Sequence, residues 1–253
     1  LDATASGLQI MSALTGCIKT ARACNMINTG KREDLYTMIS DEMNTKLSLV
    51  DYVDRKLVKQ PIMTHYYNSK VVPAEAFNEA QLDVFYKVLD NAFEGAEALM
   101  ETVNSFWNYD TDVHTWTLPD GHVARVPVVE MADTRIEVDE LEHRTFTYRY
   151  AKQQPSTNFK SLVANIIHSV DGYIAREMVR RSTFDLVHIH DCFVFSPEYM
   201  QDVSQLYRLI MVEIADSNLL SDILSEIRGE YIEVNKLTNT LSVEIAKSEY
   251  MLS

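Results

Sequence analysis

The sequence predicts an α+β fold that is mostly helical, with a small antiparallel sheet and a separate hairpin. Three observations carry that prediction. Apolar residues recur at helical spacing in long windows, at Leu8, Met11, Leu14, Ile18 and Ala21 and again at Phe77, Ala80, Val84, Val88, Ala92 and Leu99. Strand-type residues are confined to short runs, within 115–122, at 123–129 and 145–150, and at 186–189 and 193–195. The last two runs flank a polar centre, His190-Asp191-Cys192, which reads as a hairpin turn holding a carboxylate at the tip of a stiff element.

The chain has 253 residues, 46% of them hydrophobic, enough to bury the core of one large domain or two small ones. No apolar run reaches the roughly 18 residues of a membrane span, and no basic, apolar leader opens the sequence. Cys17, Cys24 and Cys192 have no metal-type spacing and suit a reducing compartment, with Cys17 and Cys24 as small core residues on a helix. A soluble, cytoplasmic protein without a membrane partner is expected. The net charge of −14 argues against nucleic acid at first sight, but the acid is unevenly spread. Residues 1–72 carry nine Lys/Arg against seven Asp/Glu, whereas the remainder carries 14 against 30, so only the early part is free to face phosphates. The chain opens on Leu rather than Met. The expectation is a processed or cut chain, or one whose other half is a separate polypeptide.

In chain order, residues 1–9 read as a strand end entering a helix, with Ser6 at the N-cap. Asp2 then stands at the strand end, where ligands bind; a frayed terminal carboxylate is the alternative. Residues 28–32 form a turn and 32–52 a helix. Arg55, Lys59, Met63 and Tyr67 follow at intervals of four. Each interval advances about 40° around a helix, so the four make one stripe. Two cations, a thioether and an aromatic suit a triphosphate and then a base, or else a solvated helix face. Pro61 should kink this helix or set its first turn near Lys59, and Asn68 should end it in a left-handed conformation. A long helix should open at Val72-Pro73, with Phe77 to Leu99 as its core stripe. Pro119-Asp120-Gly121 marks a tight turn between strands, and 137–142 an acidic, solvated connection. Residues 158–179 read as a helix carrying His168, Ser169 and Asp171, and 197–216 as an amphipathic helix before a mixed helical tail. His190-Asp191 does not suit a metal phosphohydrolase, where such a pair sits on helices. His188-x-His190 as a zinc pair would want a barrel, which this pattern lacks.

The order of these segments says more than any one of them. Asp2-Ala-Thr-Ala-Ser-Gly-Leu-Gln9, then Arg55-x3-Lys59-x3-Met63-x3-Tyr67-Asn68-Ser69, then His190-Asp191-Cys192-Phe193 resemble motifs A, B and C of the bacteriophage- and mitochondrial-type single-subunit RNA polymerases. DNA polymerases of the Klenow type show Asp-Tyr-Ser-Gln-Ile-Glu in the first motif, Phe where Met63 stands, and His-Asp-Glu in place of His190-Asp191-Cys192. Asn165-Ile-Ile-His168-Ser-Val-Asp171-Gly, Trp116-x2-Pro119-Asp-Gly121 and the 248–253 tail match further segments of the family, so the likeness covers nearly the whole chain.

The resemblance implies a right-hand fold, with palm at 1–28 and 166–253 and fingers at 29–165. It implies a DNA-directed RNA polymerase catalytic subunit that adds ribonucleotides to an RNA 3′ end on a DNA template. Asp2 and Asp191, with the carbonyl of Ala3, would hold two Mg²⁺ ions; Arg55 and Lys59 would bind the triphosphate, Lys59 also serving the chemistry. Met63 would line the nucleotide pocket, and Tyr67 with His168 would select ribose. Asn68 departs from the family's usual Gly, and Pro61 is unusual in that helix. The promoter-reading hairpin region is shortened and holds the acidic 137–142 run, so unaided recognition of a duplex promoter is not expected. The implied partners are template DNA, nascent RNA, ribonucleoside triphosphates, a second polypeptide supplying thumb and N-terminal region, and an accessory factor for the promoter. The implied setting is a two-chain bacteriophage enzyme in the cytoplasm of its bacterial host. A DNA polymerase of the same fold, or a non-catalytic scaffold with a degenerate polymerase fold, are the other readings of these residues.

Overall fold

The computed structural model describes residues 1–155 and 161–253. The architecture is α+β, with helices dominating and each named sheet an antiparallel two-stranded ladder. The first helical stripe divides into α1 (Ser6–Thr15) and α2 (Ile18–Ala23). Gly16 ends α1 at φ +69°, and a Cβ there would lie 2.4 Å from the carbonyl oxygen of Thr238, so the chain must turn at a residue without one. Ile18, expected in the core, is half-exposed as a result. The N-cap of α1 is Ala5 with no side-chain cap, and Ser6 is the first helical residue instead. Leu8, Ile10, Met11 and Leu14 are buried where α1 packs against α7, α8 and α9, introduced below, and Cys17 and Cys24 are buried as expected.

The helix expected at 32–52 is shorter. In α3 (Leu35–Asn44), Asp34 caps the backbone N–H groups of Tyr36 and Thr37, and beyond Asn44 only one 3₁₀ turn, Leu49–Asp51, forms. Asn44 closes this connection, its side chain both donating to and accepting from the backbone of Val53. Next comes α4 (Arg55–His65), capped by Asp54, with Pro61 inside it. Its first turn lies at Arg55 and not near Lys59, because the Asp54 cap supplies a start that Pro61 does not. Asn68 takes the left-handed conformation expected of it, at φ +64°.

The single long helix expected from Val72 is three: α5 (Val71–Ala76), α6 (Glu79–Ala92) and α7 (Glu94–Ser105). Asn78 and Gln81 form a reciprocal capping box that starts α6 afresh after the extended Phe77. Ala80 consequently faces solvent, while Phe77, Val88 and Leu99 keep their core places.

Strands β1 (Val113–Thr117) and β2 (Val123–Pro127) pair around the Pro-Asp-Gly turn. Trp116 is fully buried and its indole N–H donates to Ser169 Oγ at 3.0 Å. Strands β3 (Val129–Val138) and β4 (Arg144–Pro155) form a longer hairpin, with the acidic run exposed at its tip. After α8 (Ser161–Arg181) come β5 (Leu186–Ile189), β6 (Cys192–Phe195), α9 (Met200–Asp216), α10 (Leu219–Arg228) and α11 (Leu241–Ile245). Residues 158–160, expected to begin the α8 helix, lie outside the described residues. Among the described residues no helix is long and apolar enough to cross a membrane.

Candidate active site

The β5–β6 register pairs Ile189 with Cys192, so His190 and Asp191 form a two-residue tip, with His190 at φ +54°. The first residues of the chain lie along β6: Asp2 bridges Cys192, and the Ala3 N–H donates to the Asp191 carbonyl at 3.1 Å. The last residues close the other side, with the Asp2 N–H donating to the Ser253 carbonyl at 3.0 Å and the Thr4 N–H to Met251 at 3.0 Å. Buried Gln9 fixes this junction. Its Nε2 donates to the carbonyls of Cys24 at 2.9 Å and Met251 at 3.1 Å, while its Oε1 accepts from the Tyr207 hydroxyl at 2.8 Å. Residues far apart in the chain thereby hold Asp2 and Asp191 on adjacent backbone. Burial, and then the charge of Asp191, raise the Asp2 carboxyl above its ordinary range.

Helix α4 forms the facing wall. Val58, Pro61, Ile62 and His65 are its buried side, and the His65 ring nitrogen lies 2.8 Å from Glu97 Oε1. The opposite side presents Arg55, Lys59 and Met63, so the stripe read from the spacing faces a cleft of about 410 Å³. That cleft is lined by every residue singled out from the sequence: Asp2 and Ala3, Arg55, Lys59, Met63 and Tyr67, His168, and Asp191. The rings of Tyr67 and His168 meet at 4.5 Å. Burial, and then the charges of Asp171 and Asp191, push the Tyr67 phenol up, while burial and the neighbouring His190 push His168 down toward the neutral imidazole.

Arg32 and Tyr36, also in the cleft, carried no such signal: Arg32 belongs to a turn and Tyr36 to the start of α3, and only the tertiary fold brings them beside Arg55. Asp171, named with His168 from the sequence but given no role, lies on α8 three residues after it and therefore on the same face. Burial, then Asp191, push its carboxyl up to about 6. A larger hollow of about 930 Å³ lies elsewhere, with Cys17, Ile18, Leu35 and Met38 in its wall; it contains none of the candidate site residues, so volume does not mark the site. Glu137, Asp139 and His143 form an exposed cluster of metal-type donors at the β3–β4 tip, outside the cleft.

The donor chemistry of the cleft is mixed and directional. Paired carboxylates stand at the β5–β6 end, cations on α4, and an aromatic pair beside them. Such a set can hold hard cations and a polyphosphate at once.

A family profile described as DNA-dependent RNA polymerase matches residues 1–118. The chain is 24% identical to DNA-directed RNA polymerase 3, chloroplastic, of Nicotiana sylvestris, over 91% of this chain and 28% of that protein. It is 23% identical to DNA-directed RNA polymerase 2A of Nicotiana tabacum, over 91% of this chain and 82% of that one. With DNA-directed RNA polymerase 1, mitochondrial, of Arabidopsis thaliana it shares 21% identity over 92% of this chain and 28% of the relative. The chain thus spans a little over a quarter of the length of the first of these relatives. The profile begins at the Asp2 motif and takes in α4, the two walls that meet across the cleft, and the relatives align through the His190-Asp191 hairpin as well: over nearly its whole length the chain is similar to DNA-dependent RNA polymerases.

Proposed function

We propose that this chain is the catalytic portion of a DNA-directed RNA polymerase, adding ribonucleotides to the 3′ end of RNA on a DNA template. One observation carries the proposal: the residues of three separated motifs, carboxylates, cations and an aromatic pair, line a single cleft. In this reading residues 1–28 and 166–253 are palm and 29–165 fingers of a right-hand polymerase.

The Asp2–Asp191 pair fits divalent metal, because it offers hard oxygen donors, and burial, then the charge of Asp191, raise an Asp2 carboxyl that a cation would relieve. Asp2 and Asp191, with the Ala3 carbonyl, would hold two Mg²⁺ ions, which when bound activate the attacking hydroxyl and offset charge on the phosphates. The protein's own groups do the rest. Arg55 and Lys59 bind the triphosphate and stabilise the charge that develops on the leaving pyrophosphate, catalysis by position and electrostatics. Met63 packs under the incoming base. Tyr67 and His168 form the wall that senses the ribose 2′-hydroxyl, and the depressed basicity of His168 keeps it a neutral hydrogen-bonding partner near pH 7. The acidic hairpin tip repels a DNA backbone, which supports reliance on an accessory factor for the promoter. A second polypeptide supplying thumb and N-terminal region, and a bacteriophage setting, belong to the same reading, whereas relatives such as those from Nicotiana sylvestris and Arabidopsis thaliana are chloroplastic or mitochondrial.

The test is primer extension on an RNA–DNA hybrid with Mg²⁺, using wild type and Asp191→Asn together with any co-purifying chain. Ribonucleotide addition that Asp191→Asn abolishes is the expected result. Addition of deoxynucleotides alone would instead make the chain a DNA polymerase, and no addition by a folded, partner-complete wild type would make it a scaffold.

A further inference from the structure

Arg55 does not stand free in the cleft. Its Nε donates to Asp34 Oδ2 at 2.5 Å, and its guanidinium carbon lies 5.4 Å from the centroid of the Tyr36 ring. Both contacts come from the start of α3. Asp34 divides two duties between its oxygens: Oδ1 caps the helix, accepting from the N–H groups of Tyr36 at 3.1 Å and Thr37 at 3.3 Å, while Oδ2 faces Arg55. The cap therefore fixes the carboxylate that fixes the guanidinium. Burial alone would raise the Asp34 carboxyl, yet the hydrogen bonds from Arg55 and from the backbone of Thr37 hold it below its ordinary range.

The pair is too exposed to be a stability device. Its side chains are 50% and 42% accessible, and ion pairs in that setting contribute little. Orientation is the better account. An arginine carries its N–H donors in a rigid planar fork. Among the described residues only Nε is engaged, and neither terminal nitrogen has an acceptor. A phosphate can therefore take the outer edge of the fork while Asp34 keeps the inner one, and the carboxylate need not be displaced. Lys59 shares the Tyr36 ring at 5.8 Å but has no carboxylate partner among the described residues, so the arrangement acts on one cation. It also explains why position 55 suits arginine. A lysine there would offer Asp34 its only charged group and present no second edge.

We propose that Asp34 is a positioning residue for substrate binding: it holds the Arg55 guanidinium edge-on over Tyr36, so that the two terminal nitrogens meet the triphosphate. This rests on the phosphate-binding role proposed for Arg55 above. Asp34→Asn and Asp34→Ser test it, since both keep an oxygen able to cap α3 and both remove the charge facing Arg55. The measurement is steady-state ribonucleotide addition on an RNA–DNA hybrid, with the chain assembled with its co-purifying partner. Both variants should raise KM for the nucleotide about 5- to 20-fold, with kcat changed less than about threefold. In an Arg55→Ala background the same changes should add nothing further. A merely structural fault would lower the active fraction, hence kcat, and leave KM in place. An unchanged KM would make Asp34 a helix cap only, and a lowered KM would make it a competitor of the phosphate; either overturns the proposal. A wild type that adds no ribonucleotide overturns the polymerase reading itself, a result distinct from an active wild type indifferent to Asp34.

Discussion

The hydroxyl of Tyr67 lies over Gly7: a Cβ built on Gly7 would come within 3.4 Å of that oxygen. A glycine of the first motif thus lies against an aromatic of the second, whose ring also packs on His168 at 4.5 Å between centroids. Gly7→Ala should leave the fold intact, because 3.4 Å is an ordinary contact and alanine favours the helix by about 0.5–1 kcal/mol. It should add a methyl contact against the hydroxyl of the ring proposed to sense the sugar. The expected outcome is an unchanged or slightly raised melting temperature with a reduced preference for ribo- over deoxynucleotides, read from competing single-nucleotide additions. An unaltered preference would separate Gly7 from sugar selection.

Asp171 carries a prediction about pH. Its folded carboxyl titrates at about 6, against an ordinary value of 3.8, so the native state holds its proton through a window in which the unfolded state has lost it. Stability therefore falls as pH rises from about 4 to 6, and the whole penalty stands above that. Asp171→Asn removes it. In EDTA, so that no divalent ion offsets the charge, the variant should be more stable than wild type at pH 8 by about 1–2 kcal/mol, a figure discounted for the partial solvent access of the carboxyl. The advantage should shrink toward pH 5. A difference in melting temperature that stays constant across that range would show that Asp171 does not titrate as argued.

The contrast between these two residues and Asp34 shows what a sequence makes legible. The Arg55–Lys59–Met63 stripe could be read because a helix turns spacing into a face, and the His190-Asp191 tip because strand residues flank it on both sides. Their meeting with Asp2 could be read only through resemblance, since it depends on three backbone segments pairing edge to edge. Asp34 and Tyr36 were read as part of a longer helix, and nothing local says that the start of α3 abuts α4. The divided helices are a different kind of miss. Asn78-x-x-Gln81 is a capping-box pattern visible in the sequence, overridden by an apolar periodicity that runs on through Ala80. The break at Gly16 has a tertiary cause in the loop around Thr238, which no window near residue 16 contains.

Gly16 therefore makes a sharp stability test. At φ +69°, with a backbone oxygen 2.4 Å from any Cβ, alanine meets both an unfavourable conformation and a clash with main chain that cannot swing aside. The adjoining segment is tied down as well, the Leu237 N–H donating to the Thr15 carbonyl at 2.8 Å. Gly16→Ala should destabilise by about 2–4 kcal/mol in urea unfolding, whereas Gly30→Ala, with open space around it, should cost only the strain of its positive φ, about 1 kcal/mol. Equal costs at the two positions would remove the packing argument.

The paired carboxylates predict a crossing of stabilities that needs no activity to observe. Burial, then the charge of Asp191, raise the Asp2 carboxyl, so Asp191 is a source of repulsion without a cation and in EDTA Asp191→Asn should melt at or above wild type. Millimolar Mg²⁺ should stabilise wild type by about 1–3 kcal/mol, because a ion bound only by the native state shifts unfolding by mass action. It should do little for the variant, which has lost a hard, charged oxygen donor. Glu137, Asp139 and His143, exposed at the β3–β4 tip, form a group of three metal-type donors that could mimic that response. Wild type and a Glu137→Gln/Asp139→Asn variant should consequently gain the same stabilisation from Mg²⁺. If the gain follows the hairpin cluster and survives Asp191→Asn, the ion is not held at the cleft, and the two-metal reading of Asp2 and Asp191 fails.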